Sequence, residues 1–484
     1  MKKVEESEKN CLSKFQKDLT QGSVAKHLVL FSLPFLASNF LQALYNMADM
    51  FFVGRFNGAV GASAVGVGGQ VTILMINLIA GLAVGGTVLI AQLVGAGKQD
   101  ALRKTIGTIF TLYGVAALVM TVVMLIANPH ILKLLSDELA YDETLKYVQV
   151  CTVGLFFIFG YNAVSAILRG MGDSKHPLLF VGIAAVLNIV LDYVACGPLD
   201  MGAAGAAWAT VISQGVSFVM SVIFLRKKNF VFDFRLKSFR IDRATAKSLV
   251  TIGLPTSIGT TAVSLSFMVL TGVANSIAGM IGTTALSVAG KVNSVAILPT
   301  FAMQSAVASM AGQNLGASKP KRAFSTTITG IGIAIAITVV MFVLVQTFAQ
   351  PIVRFFLGDE SAGLDPEVAL ACVDQSVVYI RSISYDYLFV AFVFNITGLA
   401  MAAGHTKFSL VVGLISSLVV RVPAAWILGK VLQMGIMGMG FAAPIATGVS
   451  MLIDIVYLAS GKWKKTKINV ETYHANTAER SRKA

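Results

Sequence analysis

Charged side chains are scarce in this chain of 484 residues. Asp, Glu, Lys and Arg make up 13% of it, whereas a soluble domain contains about 25%. Apolar residues make up 56%, and the mean hydropathy is +0.76. This composition excludes an ordinary soluble globular protein and indicates a protein of the lipid bilayer.

Residues that commonly bind metals are also few. The five histidines are dispersed and never cluster with other ligands, so the sequence predicts no resident metal. Of the four cysteines, only Cys196 and Cys372 could face the outside. We expect free thiols, with a disulfide between these two as the alternative.

Motifs for nucleotide hydrolysis and covalent catalysis are missing as well. The stretch 289–292 around Lys291 lacks the upstream glycine and the hydroxyl of a phosphate-binding loop. No paired acid and base and no nucleophile constellation occurs, which makes a membrane-embedded enzyme a distant alternative. We expect a protein that is not an enzyme, has no cofactor and draws energy for uphill transport from an ion.

The sequence contains an internal duplication. Residues 31–97 align without a gap with 252–318 at an offset of 221, and residues 172–175 and 202–205 align with 404–407 and 435–438 at offsets of 232 and 233. The recurring residues include Leu33-Pro34 with Leu254-Pro255, Gly61 with Gly282, and Gln92-x-x-Gly95-Ala96 with Gln313-x-x-Gly316-Ala317. Membrane transporters are commonly built from two such repeats around one central site.

Apolar stretches long enough to cross a bilayer recur along the whole chain. We predict twelve transmembrane helices, at 27–53, 58–94, 105–128, 147–168, 177–198, 203–225, 248–272, 280–313, 323–350, 376–402, 408–429 and 436–460. Six helices per repeat is an even number, so both halves begin on the same side. The predicted fold is all-α and integral to the membrane, with two parallel six-helix bundles, related by a pseudo-twofold axis along the membrane normal, around a central cavity.

The basic residues predict the orientation. With both termini cytoplasmic, the inner segments hold 30 of the 38 Lys and Arg residues and the outer loops hold five. We therefore predict a multi-pass protein of the plasma membrane, with a cytoplasmic tail (1–26), an N-lobe (27–225), a basic linker (226–247), a C-lobe (248–460) and a second cytoplasmic tail (461–484). The net charge of +14 favours contact with anionic lipids over binding of nucleic acid. The first 25 residues mix lysines with acids and carry no apolar core, so we expect no removable signal peptide.

Polar residues within the spans are the candidates for an ion site, because they are costly in lipid. Asp49 lies late in the first span, where the alternative is a residue near the span end that reaches water. Asn188 and Asp192 are four residues apart in the fifth span and share one helix face. The alternative for this pair is an amide that links helices and a carboxylate that caps one. Pro34, in the first span, is a candidate hinge or source of a free carbonyl, or a tolerated kink.

Four segments resemble the multidrug and toxic compound extrusion (MATE) family. They are Asn46-Met-Ala-Asp49-Met-Phe-Phe-Val-Gly-Arg55, Leu168-Arg-Gly-Met-Gly-Asp-Ser-Lys175, Asn188-Ile-Val-Leu-Asp192 and Gly202-Ala-Ala-Gly-Ala-Ala-Trp-Ala-Thr210. The resemblance covers residues 20 to 460. It implies two six-helix bundles that face each other in a V, and an antiporter that expels organic cations and other amphipathic compounds in exchange for protons or sodium.

The resemblance also implies roles for individual residues. Asp49 matches the first-span aspartate of the family and Pro34 its kink proline, while Asn188, Asp192 and Thr210 match the polar cluster that completes an N-lobe cation site. Apart from a transient sodium ion there, the resemblance implies no metal. Another branch carries a cation-binding glutamate in span seven; here 253–272 contains no acidic residue, and Ser264 and Ser266 supply only hydroxyl groups.

Five more charged positions lie within the C-lobe spans. Lys291 lies near mid-membrane in span eight, and its repeat partner is Gln70. Asp386 in span ten is a looser match to a C-lobe aspartate of the family. We predict an ion pair between Lys291 and Asp386 in place of a C-lobe cation, with a water-exposed lysine as the alternative. We expect Arg381 and Arg421 to reach the outer interface and Asp454 the inner one.

The predicted function is therefore a secondary active antiporter that acts as a monomer on small cationic or amphipathic molecules. The main alternative is a lipid-linked oligosaccharide flippase of the same superfamily. A flippase would need several Arg or Lys residues around the cavity to hold a pyrophosphate, and the sequence offers one, Lys291.

Overall fold

The computed structural model describes residues 15–135, 139–228, 230–357 and 366–467, which form helices and short connections. In the N-lobe the spans are span 1 (Val24–Gly58), span 2 (Val60–Gly95), span 3 (Gln99–Leu135), span 4 (Tyr141–Val153 and Leu155–Gly170), span 5 (Lys175–Cys196) and span 6 (Gly202–Lys227). In the C-lobe they are span 7 (243–277), span 8 (280–316), span 9 (Pro320–Leu357), span 10 (Pro366–Ser384 and Asp386–Ala402), span 11 (Thr406–Val431) and span 12 (Gly435–Ala459).

Twelve crossings follow from these helices. Nine helices in the described ranges are long and apolar enough to cross a bilayer, and two bent pairs raise the number to eleven. The longest helix, Arg243–Gly316, has 74 residues and is broken at Ala278 and Gly279. At 1.5 Å per residue each of its two parts, 243–277 and 280–316, is roughly 50 Å long and can cross a bilayer core of about 30 Å once, so the helix makes two crossings. The predicted all-α, twelve-helix fold is confirmed.

The backbone repeats the duplication seen in the sequence. Gly58 and Gly279, 221 residues apart, break their helices with φ of 66° and 56°, a left-handed conformation that glycine adopts without strain. Other positive-φ positions recur at the offsets of the repeats, namely Gly97 with Ser318, Gly172 with Gly404, Asp200 with Gln433, and Gly202 with Gly435. The two halves therefore share one chain path.

Spans 4 and 10 are bent, whereas the sequence predicted two continuous helices. The bend is 46° at Gly154 and 44° at Tyr385, which lie within one residue of corresponding positions in the two lobes. At each bend, the carbonyl of the bend residue accepts a hydrogen bond from the N–H three residues later. The Phe157 N–H donates to the Gly154 carbonyl at 3.0 Å, and the Leu388 N–H donates to the Tyr385 carbonyl at 3.3 Å. Such tighter bonds allow a helix to change direction without losing backbone hydrogen bonds. By hydropathy each stretch is a single apolar span, so the hydropathy of the sequence could not predict these bends.

The lobes meet at the end of the bundle where the described chain begins, at residue 15, and ends, at residue 467; we call this the inner end. Span 2 of one lobe packs on span 8 of the other through Gly95 and Gly316, which are repeat partners. A Cβ on Gly95 would lie 1.9 Å from the Gln313 carbonyl oxygen, and one on Gly316 would lie 2.1 Å from that of Gln92. These two contacts are related by the pseudo-twofold axis, and we call the four residues the inner gate.

Side-chain hydrogen bonds extend the inner gate with the same symmetry. Gln92 Nε2 donates to the Ala402 carbonyl at 2.6 Å, and Gln313 Nε2 donates to the Gly170 carbonyl at 3.2 Å. Nearer the middle, Ser257 Oγ donates to the Leu78 carbonyl at 2.8 Å. These contacts lie in the inner half of the spans, so the cleft between the lobes is closed at the inner end.

Residues 15–22 form a strap across the closed inner end. On the N-lobe side, Phe15 packs edge-on against Phe224 and Phe230, and the Lys17 N–H donates to the Met171 carbonyl at 3.0 Å. On the C-lobe side, the Leu19 N–H donates to Gln313 Oε1 at 3.1 Å. Arg322 donates to the carbonyls of Leu19, Gln21 and Gly22. The strap thus contacts both lobes and reinforces the inner gate.

The cysteines that the structure describes are not joined by disulfides. Cys151, Cys196 and Cys372 are free and buried, which confirms the expected free thiols. The fourth, Cys11, lies outside the described residues.

Candidate functional site

Asp49 lies at the centre of a polar cluster inside the N-lobe. It is on span 1, nine residues before the break at Gly58, and its side chain is 4% exposed. Asn188 Nδ2 donates to Asp49 Oδ1 at 3.0 Å, and Thr210 Oγ1 donates to Asp49 Oδ2 at 3.1 Å. The Asn188 amide also lies 3.2 Å from Thr210 Oγ1. Spans 1, 5 and 6 therefore meet at one carboxylate.

Asp192 completes the cluster. It is fully buried one turn after Asn188, and its carboxyl lies beside that of Asp49. Among the described residues, neither Asp192 oxygen receives a hydrogen bond from a donor, and Asn188 Oδ1 is also buried without one. Buried oxygens without donors are rare in folded proteins. The four predicted N-lobe residues thus lie together, and three of their oxygens face no hydrogen-bond donor of the described chain.

These oxygens suit a proton or a small hard cation. Two carboxyl groups in contact repel each other when both are ionised, and the repulsion is strong away from water. A proton shared between them, or a cation that binds both, removes it. Sodium, like other hard cations, prefers carboxylate, amide and hydroxyl oxygens, which Asp49, Asp192, Asn188 and Thr210 supply.

A further polar pair lies beside the cluster and was missed in the sequence. Gln214 Nε2 donates to the Tyr45 hydroxyl at 3.2 Å and so joins span 6 to span 1. Tyr45 precedes Asp49 by four residues and Gln214 follows Thr210 by four, so both lie one helical turn from the cluster. That spacing was the available signal.

Pro34 is not a ligand of this cluster. Fifteen residues of helix separate it from Asp49, which is roughly 22 Å along the axis. Its carbonyl accepts a hydrogen bond from Ser38 Oγ at 2.8 Å, and Gly58 is the non-helical residue of the stretch 24–95. The hinge role of Pro34 stays a prediction.

The C-lobe contains a different charged pair from the predicted one. Asp386 is 3% exposed at the start of the second half of span 10 and contacts Thr447. Its carboxylate lies 3.8 Å from the guanidinium of Arg421 on span 11. The prediction that Asp386 pairs with Lys291 is therefore replaced by a pair with Arg421. Lys291 itself is exposed on span 8.

Two expectations about interfacial residues were wrong. Arg421 does not extend to the outer interface, since its side chain is only 15% exposed and its guanidinium lies over the Phe267 ring, 5.5 Å from the centroid. Asp454 is fully buried in span 12 instead of reaching the inner interface. An arginine stem can turn toward a buried partner as easily as toward water, and the sequence does not distinguish the two.

Two pseudosymmetric six-helix lobes, a cleft closed at one end and a buried carboxyl pair between the helices are the features of a membrane transporter. A model of the MatE family matches residues 34–194 and 255–427, one match in each lobe. The chain belongs to the MatE family. The predicted membership is thus confirmed.

Curated relatives span nearly the whole chain. The probable multidrug resistance protein YpnP of Bacillus subtilis is 29% identical over 470 residues, which cover 94% of this chain and 99% of that protein. The probable multidrug resistance protein NorM of Thermotoga maritima is 25% identical over 457 residues, which cover 92% and 94%. A protein of Shewanella oneidensis described as an FAD transporter is 25% identical over 463 residues, which cover 91% and 95%.

Solved structures share the fold. A MATE protein in complex with MaL6 has a TM-score of 0.86 and 25% identity, with 92% of this chain and 98% of that one covered. A multidrug resistance MATE transporter in an outward-facing conformation has a TM-score of 0.86 and 25% identity, with 93% and 98% covered.

Proposed function

We propose that this protein is a secondary active antiporter that exports amphipathic organic compounds, including cationic drugs, in exchange for protons or sodium. The observation that carries the proposal is the buried contact between Asp49 and Asp192, surrounded by Asn188 and Thr210. The names of the curated relatives, which include two probable multidrug resistance proteins, support multidrug compounds as the substrate class.

The cluster would couple the ion to the lobe geometry. Its ligands come from spans 1, 5 and 6, so an ion that binds all of them draws span 1 toward the other two. When the ion leaves, repulsion between the two carboxyl groups favours separation of Asp49 from Asp192. Span 1 continues through Gly58 into span 2, which carries Gly95 of the inner gate. This gives a covalent route from the ion to the gate, and ion and substrate then alternate because each favours a different state.

Transport driven by an imposed ion gradient tests this function. Purified protein in liposomes loaded with a fluorescent organic cation receives either a proton or a sodium gradient, and release is followed over time. We expect one gradient to accelerate release well above the rate in protein-free liposomes. If neither gradient accelerates release and the protein only lets the organic cation equilibrate across the membrane without ATP, the protein is a facilitator. That result would contradict antiport.

The direction of export depends on the orientation, and we propose that both termini and the linker are cytoplasmic. The basis is the charge asymmetry of the loops. Leu236 in the linker and Leu139 at the opposite end are 91% and 84% exposed, which makes them a matched pair for single-cysteine labelling in a cysteine-free background. In intact cells, an impermeant maleimide should label Leu139→Cys and not Leu236→Cys. Labelling of the second variant from outside would reverse the topology.

A further inference from the structure

The C-lobe position that corresponds to Asn188 can be determined from backbone hydrogen bonds. At the end of span 5, the Met201 N–H donates to the Ala195 carbonyl and the Leu199 N–H to that of Val194. At the end of span 11, Met434 donates to Leu428 and Leu432 donates to Ile427. Each donor and acceptor at the end of span 11 lies 233 residues after its counterpart at the end of span 5, so Leu428 is equivalent to Ala195. Asn188 lies seven residues before Ala195, and Arg421 lies seven residues before Leu428. Arg421 is therefore the C-lobe equivalent of Asn188.

A π-helix explains the change of offset along this span. The loop before it, 404–407, aligns at 232, and the end of the span aligns at 233, so span 11 contains one extra residue. Residues Ile415–Arg421 form a π-helix, whose wider turn accommodates one additional residue. Arg421 is at the end of that turn, so the extra residue brings its backbone to the position that Asn188 has in the N-lobe.

The other ligand positions of the N-lobe cluster are apolar in the C-lobe. By the same offsets, Asp49 corresponds to Leu270, Asp192 to Ala425 and Thr210 to Ala443. All three are buried and belong to one hydrophobic core cluster. The acid of the C-lobe comes from a different helix, because Asp386 is on span 10. The two polar centres thus lie at one pseudosymmetric level but differ in composition.

We propose that Arg421 is a covalently attached cation that takes the place of an exchangeable ion in the C-lobe, so that the coupling ion binds in the N-lobe alone. This rests on the proposed antiport function and names the residue that determines its ion stoichiometry. A guanidinium stays protonated in proteins, and the buried carboxylate of Asp386 lies 3.8 Å from it. The Phe267 ring covers the guanidinium and adds a cation–π contact. Arg421 therefore supplies a positive charge that never leaves.

The test asks whether removal of Arg421 creates an ion site that was absent. The parent carries Asp49→Asn and Asp192→Asn, which remove the carboxyls of the N-lobe cluster. Thermal unfolding in detergent is measured with sodium chloride against choline chloride, and across a pH step. In the parent, we expect the melting temperature to be the same in sodium chloride and in choline chloride. Its change across the pH step should also equal that of the parent with Asp386→Asn added. When Arg421→Gln is added, Asp386 needs another cation, so the melting temperature should rise by several degrees with sodium, or with protons if these are the coupling ion.

Two further variants separate this role from a purely structural one. Arg421→Lys keeps the charge and should keep the parent behaviour, whereas Asp386→Asn added to Arg421→Gln should remove the new ion response. If Arg421→Gln does not fold, a second measurement is made in liposomes. The reversal potential of wild-type efflux gives the number of ions exchanged per cycle, and that number should be zero for the parent. A parent that still responds to the ion through Asp386 would overturn the proposal.

The outcomes also distinguish this inference from the proposed function. If wild-type protein shows neither ion-driven efflux nor an ion-dependent melting temperature, the antiport function fails. Suppose instead that wild-type protein shows ion-driven efflux and an ion-dependent melting temperature. If these persist in the variant with Asp49→Asn and Asp192→Asn but are lost with Asp386→Asn, the antiport function holds. The ion then binds in the C-lobe, which contradicts the role proposed for Arg421. An Arg421→Gln variant that folds and acquires no ion response also contradicts the inference.

Discussion

Asp49→Asn and Asp192→Asn are each expected to abolish ion-driven efflux, and the double variant should be no worse than either single one. Asparagine keeps the shape of aspartate but removes the ionisable oxygen. At Asp49 its amide would also face the donors of Asn188 and Thr210. Loss of a partner that only orients a ligand costs about 10–100-fold in cation affinity, so loss of a carboxylate ligand should cost at least about 100-fold.

The double variant tests whether the two carboxyls form one site. Groups in contact show non-additive effects, whereas independent sites give effects that multiply. Initial rates of gradient-driven release in liposomes provide the measurement. A matched control is Asp454→Asn, because Asp454 is also a fully buried aspartate whose oxygens receive no hydrogen bond from the described residues, but it lies in the C-lobe. Two partial defects that multiply would show that Asp49 and Asp192 act separately.

Gly316→Ala is expected to stop transport while leaving both lobes folded. The added Cβ would lie 2.1 Å from the Gln92 carbonyl oxygen, which belongs to helix backbone and cannot rotate away. Ordinary contact requires about 3.5 Å, so the lobes would have to separate by more than about 1 Å at the inner gate. Such overpacking typically costs about 1–3 kcal/mol and occasionally more, and here the cost falls only on the state in which the inner end is closed.

Accessibility at the inner end reports this shift directly. Ser309 on span 8 is fully buried and donates to the Arg169 carbonyl across the lobes at 2.7 Å, so a cysteine there should be protected from an impermeant thiol reagent when the gate is closed. In inverted vesicles, labelling at this position should increase when Gly316→Ala is added. Gly332→Ala is the matched control, because that glycine lies inside span 9 with open space around its Cβ position. Wild-type transport rates in Gly316→Ala would show that this contact does not close the cleft.

Much of the architecture follows from local patterns in the sequence. Hydropathy reports which segments lie in lipid, and glycines and prolines recur in order at the same places of both halves because each half needs the same turns. The duplication therefore predicted twelve helices and two parallel bundles. The spacing of Asn188 and Asp192 predicted a shared helix face, because residues four apart lie one turn above each other. Thr210 entered through family resemblance, since nothing in its own neighbourhood marks it.

The tertiary structure alone decided which of these faces meet. A helix face says nothing about its partner helix, so contact between Asp49 and Asp192 depends on how spans 1, 5 and 6 pack. Arg421 shows the same limit. Its long side chain could extend outward or turn inward, and the π-turn of span 11, the Phe267 ring and the carboxylate of Asp386 together direct it inward. The sequence by itself determined the number of helices and their repeat, because hydropathy and chain path are local; the pairing of charges and the close approach of Gly95 to Gly316 were decided by packing between segments far apart in the chain.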